Sequence, residues 1–211
     1  MTIKQRIADF GTIATALCAT SAPALAHHVM DGKMPSTFAE GLLSGFGHPI
    51  IGIDHLLFII GVGLLAGVLG RPYMIPLTFI AGTLGGAAVH LSGLNIAFAE
   101  LAILASVALM AVAVFTSVRM PALLTAGLVA AAGIFHGYAY AESIFGAEPT
   151  PLYAYLAGFA IIQFAIAVGA AYVFTFLQKH RATLVPAGMR VAGGVMALFV
   201  VVALGQMALS A

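Results

Sequence analysis

The sequence predicts an all-α, polytopic membrane protein: a six-transmembrane helix bundle that follows a cleavable signal peptide. Three observations predict it. Hydrophobic residues make up 62% of the chain and charged residues 7%, with a mean hydropathy of +1.11, which is far more apolar than a soluble domain. Beyond residue 40 the chain divides into apolar runs separated by short polar or proline-containing breaks. Each run is close to the ~20 residues that cross a hydrocarbon core of ~30 Å. The amino-terminal stretch carries the order of features that marks a secretory leader.

Taken in order, residues 1–26 read as that signal peptide. Lys4 and Arg6 form a short positive region, Phe10 to Ala19 an apolar one, and Ala24-Leu25-Ala26 a small-residue cleavage site. The alternative is a retained first membrane helix, diluted by Thr and Ala and interrupted by Pro23. Either way the next residue lies outside the cytoplasm. Residues 27–50 are expected to form an extracytoplasmic arm and a short helix. If cleavage follows Ala26, the free amine and ring of His27 can chelate a metal, with His28 beside them and Met30 and Met34 as soft ligands. The same stretch also reads as a polar linker that carries two histidines. Ser36 is placed to cap a short helix over 36–47.

Residues 51–211 are expected to form the six-helix transmembrane domain, with helices over 51–69, 73–91, 96–118, 121–141, 152–177 and 187–208. Gly82, Gly85 and Gly86, and likewise Gly193 and Gly194, suit close helix approach. Tyr153 and Tyr155 suit the outer interface, and Gln163 suits a hydrogen bond to a neighbouring helix or a place on the pathway. With the mature amino terminus outside, alternate loops place Arg71, Arg119, Lys179, Arg181 and Arg190 inside and only Lys33 outside. That is a positive-inside pattern for a bacterial inner membrane, with both termini of the mature chain periplasmic.

Charge and motif content narrow the function. A formal net charge of +1 supplies no field to attract nucleic acid. Cys18, the sole cysteine, would leave with the leader, so a metal site in the mature chain must use nitrogen, oxygen and thioether groups. No nucleotide-binding GxxxxGK[ST] stretch is present, and no reacting group stands out beside the histidines, so the chain reads as a transporter and not an enzyme.

The ionisable residues inside the apolar runs are few, and such residues are costly to insert. His48, Asp54 and His55 open the first span, His90 closes the second, Glu100 begins the third, and His136 and Glu142 end the fourth. All fall in the outward half, which points to one shared cavity open to that side. In an ideal helix His48 and His55 would stand on one face two turns, or ~10.5 Å, apart, too far to share one ion. Unless the backbone bends at Pro49 or Gly52, they are successive stations. Asp54 either ligates or holds a histidine tautomer.

These residues also carry a family likeness. His48-Pro49-Ile50-Ile51-Gly52-Ile53-Asp54-His55 resembles the HPxxGxDH motif of the HupE/UreJ family of metal permeases. The block from Phe135-His136-Gly137-Tyr138 through Glu142, with Gly146-Ala147-Glu148 and Pro151 to Phe159, resembles that family's fourth-span motif and the start of its fifth. Glu100 and Ser106 fit a looser third-span pattern. The resemblance implies uptake of nickel, with cobalt or another divalent ion such as zinc as alternatives, for supply to metalloenzymes such as hydrogenase or urease; the Met-containing amino-terminal arm also allows copper. A cytoplasmic metallochaperone is then a candidate partner. It carries functional roles onto His48, Asp54, His55, His136 and Glu142. One departure stands out: some relatives have a second histidine where this chain has Tyr140. A membrane metal sensor or an assembly partner for a metalloenzyme is the other reading.

Overall fold

The computed structural model describes residues 33–210. The expected leader, its cleavage site and the His27 and His28 arm lie outside the described residues. Within them the chain is helical, because segments that lie in lipid must satisfy their backbone polar groups internally. The elements are α1 (Phe38–Ile51), α2 (Ile53–Val68), α3 (Met74–Leu91), α4 (Ala99–Thr116), α5 (Ala122–Glu142), α6 (Pro149–His180), a 3-10 turn (Ala182–Leu184) and α7 (Val185–Ser210).

Five of these helices, α3 to α7, are long and apolar enough to cross a membrane. Together α1 and α2 make a sixth candidate, but the pair is bent by 81° at Gly52. The bend falls where the short helix expected over 36–47 passes into the span expected from 51, at one of the two positions, Pro49 and Gly52, where the sequence allows it. Broken helices are tolerated at membrane depth where they line a cavity.

Local chemistry sets the ends. Prolines fall at or next to helix starts, where a missing N–H costs nothing: Pro76 in the first turn of α3, Pro121 before α5, Pro149 and Pro151 opening α6. Pro49 is the exception, lying in the last turn of α1 just before the bend. The cap of α1 is Thr37, one residue after the expected Ser36. Thr37 Oγ1 accepts from Glu40 N at 3.2 Å, and Glu40 Oε2 accepts from the Thr37 N–H in return. Ser36 instead donates through its hydroxyl to Glu40 Oε2 at 2.9 Å. At the other end of α2, Gly70 adopts φ 63° and lets Arg71 N donate back to Ala66 O at 2.8 Å, so the helix closes with its last carbonyls satisfied.

Packing rests on small residues at several helix contacts. A Cβ on Gly82 or Gly86 of α3 would fall on the carbonyls of Ala130 or Ile134 in α5, and one on Gly137 of α5 would fall on Thr83 O. In the same way Gly41 and Gly45 of α1 sit on Pro151 and Tyr155 of α6, and Gly193 of α7 sits on α4. Backbones this close gain van der Waals contact that lipid cannot replace. Gly85 and Gly194 face open space, so they are not packing residues as the spacing suggests.

The main core joins Phe58, Ile59, Val62, Phe79, Val107, Val114 and Met196, all nearly inaccessible. Side chains such as Leu109 and Leu123 point outward, as lipid-facing positions do. The up-and-down order brings the ends of α2, α4, α5 and α7 nearest to residues 54, 100, 142 and 207 to one side of the bundle. Arg119 and Arg190 line a separate cavity of about 300 Å³ with Val68 and Gln178, at the opposite ends of their helices.

Candidate functional site

The bend at Gly52 builds the site. His48 stands in the last turn of α1 and His55 in the first turn of α2, and their ring centroids are 5.9 Å apart instead of two helical turns. Gly52 itself has ordinary extended angles, φ −71° and ψ 100°. Its lack of a side chain matters for space: a Cβ there would come within 2.7 Å of His55 Cδ2 and 3.3 Å of Asp54 Oδ1. Asp54 Oδ1 accepts the His55 backbone N–H at 2.9 Å, which fixes the carboxylate at the start of α2 where the helix dipole favours negative charge.

Five of the expected residues share one cavity. His48, Asp54, His55, Glu100 and Glu142 all line a space of about 260 Å³, together with Ser143, Ile103, Leu104, Phe199 and Met207. The two histidines are 5% exposed, whereas Glu100 and Glu142 are exposed at the rim. A carboxylate rim over an imidazole floor concentrates cations before it offers them nitrogen. Among the described residues, no three His, Cys, Asp or Glu side chains stand as a ready-made metal cage.

His136 lies behind this cavity, fully buried. Its Nδ1 is 2.8 Å from His55 Nδ1 and its Nε2 is 2.9 Å from Ser106 Oγ. His48 is held similarly: its Nδ1 lies 2.9 Å from the Tyr155 hydroxyl and 3.1 Å from Ser143 Oγ. Tyr155 is wholly buried, which corrects its expected place at the interface; Tyr153, 69% exposed, keeps that place. Tyr140 presents its ring to both histidines, at 4.3 Å from His55 and 5.1 Å from His48, and packs on Phe159. Its buried hydroxyl has no hydrogen-bond partner among the described residues.

His90 is not brought to the cavity. Its ring packs against Tyr138 at 4.5 Å and Phe145 at 5.4 Å, and it is not among the residues that line the cavity. Gln163 also departs from expectation: its Nε2 donates to Phe159 O of its own helix at 2.9 Å, not to a neighbouring one. Ser143, Tyr155 and Met207 at the site were not foreseen. A signal existed, since all three fall at the outer ends of their spans in the topology read from the loops.

The family model described as HupE / UreJ protein matches residues 15–203. The chain belongs to the HupE/UreJ family. A curated relative, Protein HupE of Rhizobium leguminosarum bv. viciae, is 32% identical over 197 residues, covering 90% of this chain and 95% of the relative. No solved structure matches. Within this family the chain keeps His48, Asp54 and His55 as neighbours around one bend, so a motif that reads as linear is a folded corner in three dimensions.

Proposed function

We propose that this HupE/UreJ protein is a permease that imports a divalent transition metal, nickel foremost and cobalt next, from periplasm to cytoplasm. The observation that carries this reading is the single cavity lined by His48, Asp54, His55, Glu100 and Glu142. Imidazole and carboxylate suit nickel and cobalt, and without thiolate the ligands exchange, as a carrier needs. Membership of a family commonly related to nickel and cobalt transport supports this reading.

The proposed route begins at the carboxylates of Glu100 and Glu142, which attract the hydrated ion. It passes to Asp54 and the imidazoles of His48 and His55, which replace water ligands in turn. His136 supports His55 from behind. Met30, Met34, His27 and His28 are proposed to deliver ion to this mouth, and a cytoplasmic metallochaperone to take it on release. The orientation follows the basic loops: Arg71, Arg119, Lys179, Arg181 and Arg190 inside.

Copper is the second reading, favoured by the thioether of Met207 at the cavity. The test is accumulation of radioactive nickel, and of cobalt and copper, in cells that lack their own importers and carry either the wild-type chain or His55→Ala. Import by the wild type and background uptake by the variant are expected. Equal uptake by both, with equal amounts of protein in the membrane, overturns the reading.

A further inference from the structure

We infer that the cavity at the basic end of the bundle is a binding site for an anionic phospholipid, with Arg119 and Arg190 on its phosphate. The site lies apart from the metal path and stands whether or not that path carries metal.

The charges of the described chain are sorted by end. Asp54, Glu100 and Glu142 line the metal cavity, and the two other carboxylates, Glu40 and Glu148, flank the start of α6 at the same end, where Gly41 of α1 sits on Pro151. The opposite end carries Arg71, Arg119, Lys179, Arg181 and Arg190, and no described carboxylate. Among the described residues these cations form no ion pair. Positive charge left without a counterion draws anions to that end.

Two of the five cations meet at one place. Arg119 follows α4 and Arg190 stands in the second turn of α7, and both line the cavity of about 300 Å³, with Ser117 and Gln178. The turn that delivers Arg119 is specific. Ser117 adopts a left-handed φ of 52°, and Val118 N donates back to Ala113 O at 3.1 Å, so α4 satisfies its own last carbonyls and the chain reverses at the cavity. Val185 and Pro186, in the first turn of α7, form part of the wall, where the helix dipole adds to the positive potential.

The rest of the lining selects the kind of anion. Val68, Phe115, Phe174 and Val185 give the same cavity an apolar wall, and Phe115 is itself exposed as lipid-facing side chains are. A soluble anion would leave that wall wet. A phospholipid instead sets its phosphate on the guanidinium groups, which suit phosphate oxygens in a planar fork, and lays its glycerol and first acyl carbons on the apolar wall. Basic pockets between membrane helices take anionic head groups in this way. A zwitterionic lipid is disfavoured here, because its ammonium finds no described carboxylate at this end and meets five like charges.

The experiment is native mass spectrometry of the full chain, released from vesicles of equal parts phosphatidylglycerol and phosphatidylcholine, with the lipids that stay bound counted. The wild type is expected to keep phosphatidylglycerol over phosphatidylcholine by about tenfold. Arg119→Gln/Arg190→Gln should bring that preference to within about twofold, with each single variant in between. Arg71→Gln/Arg181→Gln loses the same charge outside the cavity lining and should keep the wild-type value. Equal retention of the two lipids by the wild type overturns the inference. So does an equal loss of preference in both double variants, which would mean a diffuse field and not a site. A further arm adds excess inorganic phosphate to the wild type: unchanged lipid counts are expected, and displacement of phosphatidylglycerol overturns the lipid in favour of a soluble anion. Should Arg119→Gln/Arg190→Gln fail to fold, the two single variants decide.

Discussion

His48 and His55 are seven residues apart in the chain, yet their ring centroids lie 5.9 Å apart across the 81° bend at Gly52. A straight helix would separate them by ~10.5 Å. The bend turns two stations on a helix face into one corner of a cavity.

Gly52→Ala tests that corner. The new methyl meets His55 Cδ2 at 2.7 Å, so the imidazole must move while the helices around it keep their contacts. Nickel affinity should fall by about tenfold, with the protein still folded and inserted. Titration of the purified variant beside its thermal unfolding curve separates the two effects.

Tyr155→Phe removes the hydroxyl 2.9 Å from His48 Nδ1, and with it the acceptor of Ser143 Oγ at 3.1 Å. Leaving buried polar groups short of a partner costs about 1–3 kcal/mol. The expected outcome is a lower unfolding temperature together with weaker nickel binding. A variant as stable as wild type and with unchanged affinity would show that Tyr155 does not hold His48.

The placement of His90 makes a contrast with Glu142. His90 packs against Tyr138 and Phe145, apart from the cavity that Glu142 lines. His90→Ala should leave nickel uptake within about twofold of wild type, whereas Glu142→Gln should slow it several-fold, most at low ionic strength, as loss of an attracting charge predicts. Uptake rates in cells at two salt concentrations check both.

Met207 gives the cavity its soft donor. Met207→Leu keeps the apolar bulk and removes the sulfur, so copper binding should weaken more than nickel binding. Competition between the two metals on purified protein reads the change directly; an unchanged ratio would remove the thioether from the site.

Gly86→Ala places a methyl on the Ile134 carbonyl. The α3 and α5 backbones must separate, at about 1–3 kcal/mol for overpacking a tight contact. Gly85→Ala, which meets open space, should be neutral, and the difference in resistance to thermal unfolding between the two variants measures how much this contact contributes.

Much was legible along the chain. Apolar runs of the right length give the helices and their order, since a membrane leaves the backbone little choice but to satisfy itself within each segment. The basic loops give an expected orientation, and polar residues in apolar runs pick out His48, Asp54, His55, Glu100, His136 and Glu142 because each is costly where it stands. Pro49 and Gly52 flag a possible bend without fixing its angle.

What only the tertiary structure decided is which of these residues meet, and by which atoms. Spacing cannot say that the chain turns by 81° between α1 and α2, that His136 backs His55 while His90 packs elsewhere, or that Tyr155 reaches His48 and Met207 reaches the cavity from distant parts of the chain. The reason is physical. Hydropathy is a property of each segment and is written locally, whereas helix rotation is set by where glycines such as Gly45, Gly86 and Gly137 let backbones touch, and a side chain's partners follow from that rotation.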